Sequence, residues 1–303
     1  MPSRAPTLAG FAGSALVVAA MTIPSSAHGQ EPDAGSSLTQ TEIARLLVSP
    51  RPGEVGRGIM QLGMPRGGIR LPGIPPEEWG PELRAAIVRA VEQKAWLDAP
   101  EDWGELDVEL YEAVWTIAKL GDPVAIGPLA GFGMTGFDIY DWLVFQGVPA
   151  LREVIRTAIR PGGTRAQRSA RRAAFVVMAM FVDEQGPQGL DAGLLSEIRG
   201  LAASALDDPK LVMEAIDLSV LLGDAELTGK VELLAADPSA VRALGITDAV
   251  RIDKIRERAR GKLVDPTPFW NDFAWWRDRR LKRCTDRDDS ESGVCRRLLA
   301  DRR

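Results

Sequence analysis

Seven arginines stand between positions 152 and 172, with Glu153 the single acid among them. Arg152, Arg156 and Arg160 recur at i, i+4, i+8, which lines one stripe of a helix, and Arg165, Arg168, Arg171 and Arg172 follow at once. A guanidinium grips carboxylates and phosphates through two parallel N–H donors. Such a concentration in a chain of net charge −5 therefore reads as a site for an anion or an acidic protein or peptide partner. The competing use is internal pairing. Residues 182–237 hold twelve Asp and Glu against Arg199, Lys210 and Lys230, and exposed pairs of that kind are individually worth about 0–1 kcal/mol. Both readings stand, and Arg152, Arg156, Arg160, Arg165, Arg168 and Arg172 are the candidate partner contacts.

The second constellation is C-terminal. Trp270, Phe273 and Trp276 fall on one side of a helix, with Trp275 beside them and Arg277, Arg279, Arg280, Lys282 and Arg283 following. Aromatics beside cations suit a membrane interface or a glycan surface, which gives an alternative envelope-surface or glycan-binding role with membrane or cell-wall association. The same rings suit a cap over the open end of a helical stack. Cys284 and Cys295 are the only two cysteines, and in an oxidising compartment they predict a disulfide whose short loop is worth a little under ~3 kcal/mol. Between them, Asp286, Asp288, Asp289, Ser290 and Glu291 fail the pattern of a calcium loop. Glu291 stands where the turn needs glycine, and Arg297 where the bidentate acid is needed.

Catalytic chemistry has little to build on. His28 is the single histidine, so the body of the chain offers no Ser-His-Asp or Cys-His arrangement and no histidine-rich zinc site. No P-loop or Gly-x-Gly-x-x-Gly fingerprint lies between a strand and a helix. The sequence thus predicts no metal, no cofactor and no enzyme; a hydrolase working through two carboxylates is the enzymatic alternative, with no pair in a distinguishing context. Mild acidity also argues against nucleic acid, which calls for a strongly positive footprint.

Export is the next expectation. Arg4, the apolar stretch Leu8 to Ile23 and the small residues Ser25 and Ala27 make residues 1–27 a secretory signal peptide, placing the protein in the periplasm or outside the cell. The alternative is a retained membrane anchor, although Gly10, Gly13 and Ser14 interrupt the run and its length is near the lower limit for spanning.

The elements that would position these residues are helical. Thr39 and Glu42 have capping-box spacing before Ile43, Leu46 and Leu47, so 28–49 reads as a disordered polar lead and a short helix. From 50 to 76 glycine and proline recur every few residues, which predicts an irregular segment without helix or central strand. Helical spacing resumes at Pro81 through Leu83, Ile87 and Val91, and again through Leu106, Leu110, Val114, Ile117 and Ala118. Further helices are expected in the pairs 136–146 with 148–160, 165–184 with 191–206, and 209–222 with 224–235.

Aligning Glu112-Ala113-Val114 with Glu214-Ala215-Ile216 carries Leu120-Gly121-Asp122 onto Leu222-Gly223-Asp224, a common offset of 102 residues. That offset accommodates three units of about 34 residues. In each turn glycine ends one helix in the left-handed region and aspartate caps the next; Asp208-Pro209 and Asp237-Pro238 repeat the second half. On these residues, 110–134 and 212–235 resemble HEAT-type helical repeats. The resemblance implies an all-α fold, an α-solenoid of about four to five HEAT-like helix pairs across 77–262, and the aromatic residues and cysteine pair of 263–303 predict a disulfide-bearing cap on it. It also implies a non-catalytic interaction scaffold for a protein or peptide partner.

Overall fold

The computed structural model describes residues 38–66, 69–70, 73–94, 104–132, 137–268, 278 and 281–282. The leader at 1–27, the rings of Trp270, Phe273 and Trp276, and the pair Cys284 and Cys295 lie outside the described residues.

The fold is all-α. Thirteen helices are present among the described residues: α1 (Gln40–Leu47), α2 (Pro52–Met60), α3 (Pro81–Lys94), α4 (Gly104–Lys119), α5 (Ile126–Phe132), α6 (Phe137–Phe145), α7 (Val148–Ile159), α8 (Arg165–Gln185), α9 (Ala192–Leu206), α10 (Val212–Leu222), α11 (Ala225–Ala236), α12 (Pro238–Ala243) and α13 (Ala249–Val264). The one short ladder among them pairs β1 (Pro65–Arg66) antiparallel with β2 (Ile69–Arg70).

Local chemistry sets the helix starts. Thr39 and Glu42 form the full capping box, with the Glu42 amide donating to Thr39 Oγ1 at 3.3 Å and the Thr39 amide to Glu42 Oε2 at 2.8 Å. Asp224 accepts from the Glu226 and Leu227 amides at 3.0 and 3.2 Å to open α11, and Asp237 accepts from the Ser239 amide at 2.7 Å to open α12. In both Leu-Gly-Asp turns the glycine is left-handed, with φ +80° at Gly121 and +61° at Gly223.

The 50–76 segment departs from expectation. Pro52 occupies the first turn of α2, where its missing N–H costs nothing, and Val55 and Ile59 are buried one turn apart. Gly58 sits against Leu46 and Leu47, where an added Cβ would lie 3.1 Å from Leu47. Its glycine lets α1 and α2 pack closely. The rest of the segment holds the β1–β2 ladder, the Leu62–Gly73 bridge and a 3-10 turn at Pro76–Glu78.

Pairing between helices also differs from the expected partition. Helices α8 and α9, grouped by sequence, make little contact; instead α7 packs on α8, α9 on α10, and α11 on α13. Within the second half, α8, α10 and α13 follow one another side by side, and α9 and α11 adjoin on their flank. A single hydrophobic core runs through the helices from Ile43 to Ala259. This places the N-terminal halves of α8 and α13 beside the start of α10.

Candidate functional site

Helix α8 changes character along its length. Its second half buries Phe175, Val177, Met178, Met180 and Phe181, which fixes the helix among α5, α6, α7 and α10. Its first half stays partly in solvent and presents Arg165, Arg168, Arg171 and Arg172. Thr164 starts it, taking the Gln167 amide at 3.1 Å and giving its own amide to Gln167 Oε1 at 3.0 Å. These four arginines, together with Lys210 and Arg251, line a cavity of about 470 Å³ with Ser169 and Leu211. Among the described residues no carboxylate lines it.

Each cation is held in its own way. Arg168 Nη1 donates to the Gly163 carbonyl at 2.7 Å, Arg171 Nε to the Ala158 carbonyl at 3.1 Å, and Arg251 Nη2 to the Pro209 carbonyl. Carbonyl groups orient a guanidinium without neutralising it. Two acids do neutralise: Arg172 donates from Nε to Glu214 Oε1 at 2.7 Å, and Arg171 Nη2 lies 3.8 Å from Asp208 Oδ2. Arg165 and Lys210 are exposed and have no ion pair among the described residues. Asp248 adds a third carboxylate, its Oδ1 accepting from the Arg251 amide at 2.7 Å, so among the described residues six cations against three contacting acids leave a local net charge of +3.

The backbone adds to that field. Arg165 opens α8, Lys210 and Leu211 immediately precede α10, and Arg251 lies in the first turn of α13. All three helices thus bring their N-terminal ends to one place, that of α8 capped by Thr164 and that of α13 by the Asp248 carboxylate. No side chain caps α10 at Leu211. Gly162 lies under the arginines, where an added Cβ would come within 3.2 Å of Arg168 and Arg171, so the turn before α8 is shaped to let those side chains fold over it.

Among the sequence candidates, Arg165, Arg168 and Arg172 come together here. Arg152, Arg156 and Arg160 do not line the cavity: Arg152 and Arg156 are exposed on α7, where Arg156 pairs with Glu153 in its own turn, and Arg160 caps the helix end. Lys210 and Arg251 are the cavity-lining cations that sequence spacing missed. Lys210 is an isolated cation in an acidic stretch, and Arg251 is one of many charges on α13.

The described residues contain no group of three or more His, Cys, Asp or Glu that could hold a metal, and no described helix is long and apolar enough to cross a membrane. The cavity can attract and orient an anion. No protein-family model, no curated protein and no solved structure matches the chain.

Proposed function

We propose that this chain is an exported, non-catalytic interaction scaffold, an α-solenoid of HEAT-like helix pairs that docks an acidic partner at the cationic cavity of α8, α10 and α13. The carrying observation is the convergence of six cations on one cavity, with three carboxylates in contact with them among the described residues. The solenoid reading is supported by the order of packing, since every substantial partner of a helix lies within three helices of it in the chain. Export is supported by the signal-like pattern of residues 1–27.

Affinity purification of the tagged protein from the cell envelope tests the function. A stoichiometric partner is expected with the wild type and lost with the Arg165→Glu, Lys210→Glu double variant, whereas Arg152→Glu retains it. Retention by the double variant would place the docking surface elsewhere. A hydrolase would instead show turnover abolished by a single Asp or Glu substitution.

A further inference from the structure

We infer that the group seated in this cavity is a diphosphate, free or as part of a larger molecule; the inference rests on the anion-docking reading and narrows its chemistry. Charge decides first. Two phosphoryl groups linked through a bridging oxygen carry about −2 to −3 at neutral pH, close to the local +3 of the cavity. Carboxylates bring one charge each. About three acidic side chains with their backbone would have to converge at one cavity of about 470 Å³ to do the same.

Donor geometry points the same way. Arg165, Arg168, Arg171 and Arg172 offer planar forks that suit tetrahedral oxygens bidentately, and Lys210 adds a point charge. The carbonyl contacts of Arg168, Arg171 and Arg251 fix those side chains before a ligand arrives, which lowers the ordering cost of binding.

Titration calorimetry of the full chain with inorganic pyrophosphate, orthophosphate and a poly-glutamate peptide tests this. Pyrophosphate is expected to bind one to one, at least ten-fold tighter than orthophosphate, and to weaken as salt rises. Arg165→Glu and Lys210→Glu each lower that affinity ten-fold or more, with unchanged circular dichroism, and Arg152→Glu leaves it intact. Absence of pyrophosphate binding, or equal loss with Arg152→Glu, overturns the inference. Peptide binding without pyrophosphate binding overturns it while leaving the acidic-partner reading in place; binding of neither removes both. Flotation with vesicles carrying a diphosphate-headgroup lipid separates the sources. Flotation competed by pyrophosphate identifies a headgroup, and pyrophosphate binding without flotation identifies a soluble ligand.

Discussion

At the scale of single residues, the arginines divide into those the fold consumes and those it leaves available. Glu214 is mostly buried, and both contacts it receives come from Arg172. Replacing Arg172 with alanine strands that carboxylate and is expected to cost about 1–3 kcal/mol in chemical denaturation. Arg165→Ala, on an exposed side chain with no acid partner among the described residues, should leave stability unchanged. A similar loss in both would mean that Arg165 is structural too. Asp122 shows the same economy in a turn. Its carboxylate accepts from the Val124 amide and from Arg84 Nη1, each at 3.0 Å. Partial burial pushes the Asp122 carboxyl upward, but the Val124 amide and the Arg84 guanidinium outweigh that and hold it below the ordinary aspartate value. A lowered folded value means the stabilisation is fully present above the unfolded pKa of about 3.9 and fades as pH falls through the folded one. Asp122→Ala should therefore destabilise by about 1 kcal/mol at pH 7, and the gap from wild type should narrow in melts at pH 3. A gap that stays constant with pH would show that the charge of Asp122 contributes nothing.

At the scale of elements, two glycines separate a turn that needs only backbone freedom from one that needs space as well. Gly223 ends α10 at φ +61° with open space where a Cβ would go, so Gly223→Ala should cost about 1 kcal/mol. Gly73 sits at φ +145°, and a Cβ there would lie 2.5 Å from the Gln61 carbonyl oxygen and the Gly63 amide nitrogen. Gly73→Ala should cost clearly more and loosen the Leu62–Gly73 bridge, read as a lower denaturation midpoint than that of Gly223→Ala; equal midpoints would contradict the crowding. The same contrast explains what was legible. Caps and apolar spacing are local, and they placed α6 to α11 within a few residues of their observed ends. The glycines of α2 misled because Gly58 is a packing surface for Leu46 and Leu47, and composition does not distinguish that use from a helix break. Pairing was hidden for another reason. An apolar stripe says that a helix must be covered, yet it leaves open which helix covers it, and α8 is enclosed by α5, α6, α7 and α10. Half of the cavity could be read from the α8 arginines, whereas Lys210 and Arg251 reach it only through the packing of α8, α10 and α13.

At the scale of the whole molecule, a chain with net charge −5 gathers six cations around one cavity, so the net charge opposes an approaching anion while the local charge at the cavity opening attracts it. That opening depends on the C-terminal helices staying docked. Because packing partners are close in sequence, a scaffold of the kind proposed should lose structure regionally rather than all at once. Ile255 is fully buried on α13, and Ile255→Ala removes about 2–5 kcal/mol of packing. Hydrogen exchange of the full chain should then accelerate in α10, α11 and α13 while α1 to α4 keep their protection, and Ile43→Ala, fully buried on α1, should do the converse. Uniform acceleration in either variant would mean that the continuous core couples the helices into one cooperative block and would count against the solenoid reading. Since Arg251 belongs to α13, the Ile255 variant should also bind pyrophosphate more weakly, and a ligand that bridges α8, α10 and α13 should in turn slow exchange in those three helices of the wild type.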